Sequence, residues 1–341
     1  MLVDCLASYY HPTEIIFLDD SEVYLCTLEL FLQESKFPVF IKTFSDIDEA
    51  LSYIESKQDQ GIVDHLLKRV DTFQINNYAL SVDLFDLHKI IYNASRFSQI
   101  SAVIVDYDLN AKETGIEFCK RISNKNVQKI LFTGQSDQNL VIQAFNEGVI
   151  QKFVHKQEVD SLEKILKVLE EAQKDYFNRV TKVILDAVGH RSQFPLAIYC
   201  SQFQTFFYNL LDTYNILEYY LLDPVGSYLL LDADKVARIL FVQNEDQHKA
   251  NLLDLKDEIV HALPEGIVEA LYRGEYIICD PSYIDGVKRN LPLSNYVVPA
   301  ISVRDAEEGT VFYCALTKDT FLCDMNKYVA PKFSFDGDGN V

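Results

Sequence analysis

Along the first 160 residues, short apolar runs alternate with segments whose apolar residues recur every three or four positions. EIIFLDD (14–20), PVFIKTF (38–44), AVIVD (102–106), KILFTG (129–134) and VIQKFVH (149–155) read as strands. Helical spacing appears between them in EVYLCTLELFLQES, with Tyr24, Leu28, Phe31 and Leu32 on one face, in DIDEALSYIES, in GIEFCKRIS and over 137–147. Nearly continuous apolar strands alternating with helices predict a five-stranded parallel sheet, covered on both faces and joined by right-handed crossovers.

Residues 57–100 break this rhythm. Helical spacing at Leu84, Leu87, Ile90 and Ile91 makes them a helical insertion in the first module, which is expected over 1–160. A long helix follows over 161–189, with apolar residues at Leu162, Ile165, Leu169, Ala172, Tyr176, Val180, Val183 and Ala187. That near-heptad stripe fits either a coiled coil that pairs two chains or a helix packed on its own domain. From 190 to 341 the order is helix, three strands, two helices and three more strands, which predicts an α+β module built on an antiparallel sheet.

With 341 residues, two domains are expected, since single cores rarely grow beyond about 250–300 residues. No run approaches the ~18 apolar residues of a membrane span. The N-terminus lacks the basic residues of a secretory signal, so the expected location is the cytoplasm. Seven scattered cysteines form no CxxC pair and read as reduced thiols. The net charge of −20 is spread over both halves and argues against DNA binding, which draws on phosphate neutralisation by Lys and Arg.

Candidate chemistry collects at the carboxyl ends of the parallel strands, where open α/β sheets place their sites. The first strand ends in Asp19 and Asp20, the third in Asp106, the fourth in Thr133, and Lys156 lies just beyond the fifth. Three clustered carboxylates ionise together only with a cation among them, and Mg²⁺ is the expected one. Lys156 and Thr133 suit the oxygens of a phosphoryl group.

In this order, with Gly115 opening the third helix, these residues resemble the receiver domain of two-component response regulators, a CheY-like, flavodoxin-like fold. The resemblance covers about 12–175. It implies Asp106 as phosphoacceptor, Asp19, Asp20, Asp106 and the backbone carbonyl of Asp108 as Mg²⁺ ligands, Thr133 and Lys156 as phosphate contacts, and Phe153 as the switch aromatic. It also implies a histidine kinase as partner, a phosphorylation-dependent homodimer as readout, and no enzymatic activity beyond self-dephosphorylation. The chain departs from the family pattern at Gln157, where Pro is usual, and in the 57–100 insertion. DYD (106–108) also resembles the DxD of haloacid-dehalogenase-like phosphatases, but there the nucleophile strand comes first, whereas here Asp19 and Asp20 precede it. The second module looks like a PAS or GAF domain with an unknown partner or ligand. An alternative is a nucleotide or nucleic-acid binder using Lys235, Arg238, Lys288, Arg289 and Arg304. The two-domain arrangement as a whole resembles quorum-sensing response regulators of the Legionella type.

Overall fold

In the computed structural model, described for residues 5–57, 84–109, 113–134, 138–188, 196–223, 225–253, 263–281, 291–319 and 322–333, the chain forms two units. Its elements begin with β1 (Tyr9–Tyr10), β2 (Glu14–Leu18), α1 (Glu22–Ser35), β3 (Phe40–Phe44) and α2 (Ile47–Lys57). After 3₁₀ turns at Leu84–Tyr92 and Ala94–Ser98 come β4 (Ile100–Val105), α3 (Gly115–Arg121), β5 (Gln128–Thr133), α4 (Gln138–Asn146), β6 (Lys152–His155) and α5 (Ser161–Val188). Strands β2 to β6 form the expected parallel sheet, in the order β3-β2-β4-β5-β6.

Successive strand side chains point to opposite faces, so each strand feeds two cores. Ile16, Leu18, Val103, Val105 and Leu131 meet Leu51 and Ile54 of α2, Phe118 of α3 and Val141 of α4. Phe17, Ile104, Ile130, Phe132 and Val154 meet Leu25 and Leu28 of α1 and Ile165, Leu169 and Ala172 of α5. The stripe on α5 that could have paired two chains is therefore filled by the protein's own sheet from Ile165 to Ala172, and Tyr176 and Val180 are buried as well. Over that stretch it is not an open coiled-coil seam.

The other unit carries α6 (Ser201–Thr213), β7 (Ile216–Leu221), β8 (Tyr228–Asp232), β9 (Ala237–Asn244), α7 (Glu245–Leu253), α8 (Glu265–Tyr272), β10 (Tyr276–Ile278), β11 (Val297–Pro299), β12 (Ile301–Arg304) and β13 (Val311–Lys318). Its main sheet is antiparallel, ordered β1-β7-β8-β9-β13-β12, and β10 pairs with β11 separately. Aspartates fix its turns by accepting backbone N–H bonds. Asp223 Oδ1 takes those of Val225, Gly226 and Ser227, Asp232 Oδ1 those of Asp234 and Val236, and Asp305 Oδ1 those of Glu307 and Glu308. Phe207, Tyr219 and Tyr228 form its aromatic centre, with ring centroids 4.6–5.8 Å apart.

Chain order and unit membership differ at three places. Residues 5–10 and the turn Leu84–Tyr92 belong with the C-terminal unit, whereas residues 330–333 belong with the parallel-sheet unit. Tyr9 and Tyr10 pair antiparallel with Tyr220 and Tyr219. At the other end Phe333 stacks on Phe40, 5.2 Å between centroids. Of the insertion, residues 58–83 lie outside the described residues.

Candidate functional site

The acids stand together because of strand register. Leu18 of β2 lies opposite Val105 of β4, so Asp19 and Asp106 leave adjacent strands side by side. The Asp106 N–H donates to Leu18 O at 2.9 Å. On the other side, Thr133 ends β5 buried, and its carbonyl accepts from the Lys156 N–H at 2.9 Å. This places the lysine at the same edge of the sheet.

Each carboxylate is held at both oxygens. Asp19 Oδ1 accepts from Ser21 N–H at 2.9 Å, and Asp106 Oδ1 accepts from Tyr107 N–H at 2.7 Å. The Lys156 ammonium bridges the remaining two, bonding Asp19 Oδ2 and lying 2.6 Å from Asp106 Oδ2. These side chains are 15%, 6% and 12% exposed for Lys156, Asp19 and Asp106, so the ion pairs are weakly screened. Burial pushes the Asp19 carboxyl above its usual range, opposed by the hydrogen bond from Lys156. Oxygens of Asp19, Asp20 and Asp106 all lie within 4.8 Å of one another. Hard oxygen donors at this spacing fit a small divalent cation, and these three residues could hold one.

Behind Asp106, the N-terminus of α3 packs directly on the backbone. A Cβ on Gly115 would sit 2.0 Å from Asp106 O, so only glycine allows this approach. The helix start is fixed by a capping box between Thr114 and Glu117, and Gly115 N–H donates to Tyr107 O at 3.0 Å. The sequence TGIE carries this signature, which the reading of the third helix from its apolar residues passed over.

The predicted residues fall into two groups. Asp19, Asp20, Asp106, Thr133 and Lys156 come to one sheet edge. Asp108 is exposed, and its carboxylate is outside the acid cluster. Phe153 on β6 is 43% exposed, its ring edge-on to His155 at 5.8 Å. One neighbour was read only as core: Tyr24, whose ring lies 4.5 Å from Lys156 Nζ. Its place in the first turn after the acid pair was the available signal. In the C-terminal unit the proposed basic patch is weakened, because Arg238 is paired with Asp232 and stacks on Tyr214. Lys288 and Arg289 lie outside the described residues.

No family model matches the sequence, and no curated relative matches it. Among solved structures, the Legionella pneumophila response regulator LqsR is 28% identical with a TM-score of 0.75, over 95% of this chain and 93% of its own. A signal receiver domain of an HD domain-containing protein from Pseudomonas fluorescens matches 50% of this chain and 93% of its own, at 22% identity and a TM-score of 0.33. A CheY-like receiver domain protein from Methanospirillum hungatei matches 48% and 98%, at 15% identity and a TM-score of 0.32. The acid cluster with its lysine, carried on a β3-β2-β4-β5-β6 parallel sheet, and the likeness to LqsR over nearly the whole chain identify this protein as a response regulator with an N-terminal receiver domain.

Proposed function

We propose that Asp106 accepts a phosphoryl group from the phosphohistidine of a cognate histidine kinase, or from a small phosphodonor. The observation that carries this reading is the bridging of Asp106 and Asp19 by Lys156, three groups far apart in sequence. Asp106 Oδ2 attacks phosphorus in line, the P–N bond to the histidine breaks, and the leaving imidazole takes up a proton. Lys156 and Thr133 receive the phosphoryl oxygens, so positioning and charge carry the reaction. Asp19, Asp20, Asp106 and the backbone carbonyl of Asp108 would hold Mg²⁺, which when bound offsets negative charge on the transferring group. The chain is a phosphoacceptor and no enzyme beyond hydrolysing its own aspartyl phosphate. Exposed Asp108, outside the cluster, speaks against a haloacid-dehalogenase-like nucleophile and acid pair.

The added charge draws Thr133 and Lys156 toward the acyl phosphate and turns Phe153 inward. The readout is a homodimer formed on the face of β5, β6 and α4, where Leu140, Ile142 and Phe145 are exposed. The C-terminal unit serves as a PAS- or GAF-like interaction module in a cytoplasmic relay of the quorum-sensing kind. Nucleic-acid recognition is the weaker alternative, since Arg238 is already neutralised by Asp232.

The test is incubation with Mg²⁺ and acetyl phosphate, followed by intact mass and oligomeric state. Wild type gains one acid-labile phosphoryl group and forms dimers, and Asp106→Asn does neither. A wild type that gains no adduct refutes the reading, and an adduct without dimer growth refutes the readout alone.

A further inference from the structure

Tyr24 lies in the first turn of α1, half-buried, with its ring tilted against Phe132 at 5.9 Å. Its N–H donates to Ser21 Oγ at 3.3 Å, and the Ser21 N–H in turn holds Asp19 Oδ1. The helix cap and the metal-facing carboxylate are thus set by the same residue. Lys156 Nζ sits 4.5 Å from the ring centroid while bonded to the outer oxygens of Asp19 and Asp106. These oxygens belong to two of the three residues that a divalent cation would use. Ammonium and cation therefore compete for one set of oxygens, and two positive charges sharing them repel strongly where water is scarce.

We propose that Tyr24 is a positioning residue for Lys156, its ring holding the ammonium between Asp19 and Asp106 and so limiting how readily the acid cluster takes up a divalent cation. This deepens the reading of the cluster as a cation and phosphoryl site and rests on it. The ring face is the attractive element, because its quadrupole favours a cation above it; the hydroxyl is not needed. The gate is electrostatic and releases Lys156 for the phosphoryl oxygens once the cation has entered.

Mg²⁺ binding to the full chain, measured calorimetrically without phosphodonor, tests this. Tyr24→Leu is expected to bind Mg²⁺ about five-fold more tightly, the equivalent of ~1 kcal/mol for a half-buried cation–π contact. Tyr24→Phe keeps the ring and is expected to match wild type. The gain from Tyr24→Leu is expected to vanish in a Lys156→Met background, where no ammonium competes. Unchanged or weaker binding in Tyr24→Leu, or equal gains in Tyr24→Phe and Tyr24→Leu, overturns the proposal. So does a gain that persists with Lys156→Met, since the ring would then act only by covering the carboxylates. If Tyr24→Leu loses its far-ultraviolet dichroism, Tyr24→Met takes its place under the same criteria. Wild type that binds no Mg²⁺, or Asp20→Asn that binds as well as wild type, defeats the metal reading itself, an outcome distinct from the others.

Discussion

Gly115→Ala adds one methyl group at the tightest backbone contact of the site. The new Cβ would lie 2.0 Å from Asp106 O, 3.0 Å from Asp106 C and 3.2 Å from Val105 Cγ2. The first two are backbone atoms of Asp106, so no side-chain rotation relieves the clash. Reaching even the 3.0 Å limit requires α3 and the Asp106 backbone to separate by about 1 Å. Overpacking of this kind costs about 1–3 kcal/mol, more than the ~0.5–1 kcal/mol that Ala gains over Gly within a helix. A displacement of about 1 Å in a positioned site costs up to ~100-fold in rate, so phosphorylation should slow by roughly 10- to 100-fold. Intact mass over time with Mg²⁺ and acetyl phosphate reads the rate, and calorimetric unfolding reads the stability. Gly148→Ala is the control, because Gly148 has φ +71° with open space around it. There Ala brings about 1–2 kcal/mol of left-handed strain and should leave the rate unchanged. A Gly115→Ala protein that phosphorylates at the wild-type rate and unfolds at the wild-type temperature would refute the claim that this contact sets the acceptor's position.

Because burial raises the folded-state pKa of Asp19, folded protein holds its proton more tightly than unfolded chain. Stability therefore falls as pH rises from about 3.8 through the raised value, and the penalty stays in full above it. Asp19→Asn removes the buried charge, so without Mg²⁺ it should unfold at a higher temperature than wild type at pH 7, the difference closing as pH falls toward 3.8; a pH-independent difference would exclude this cause. Phe153→Ala should cost less than about 1 kcal/mol, since the ring is 43% exposed, and should leave Asp106 phosphorylation intact while abolishing phosphorylation-dependent dimers by light scattering. Dimers that persist would show that Phe153 does not carry the switch.

The parallel sheet was legible because both its faces are buried, so β2 and β4 read as unbroken apolar runs, and each ends abruptly in the acids that form the site. Asp19, Asp106 and Lys156 could be joined from sequence since strand ends in this topology converge regardless of chain separation. Tyr24 was not legible in this role: its spacing with Leu28 and Leu32 is that of a core face, and only the approach of Lys156 gives the ring a second use. The α5 stripe was ambiguous for a physical reason, as a sheet and a second helix call for the same apolar pattern. Neither the two residues of β1 nor Leu84–Tyr92 announce their membership of the C-terminal unit. A strand of two tyrosines has no period, and a turn of nine residues carries only the apolar spacing of any packed segment.

The pairing of β1 with β7 joins residues about 210 positions apart, so during synthesis β1 leaves the ribosome long before the strand it pairs with. Until Tyr219 and Tyr220 emerge, the early segment has no sheet to join, and a released C-terminal module without it would present the bare edge of β7 to other chains. Modular exchange of receivers by cutting near residue 160 or 190 would separate that strand from its sheet and Phe333 from its receiver partner, Phe40.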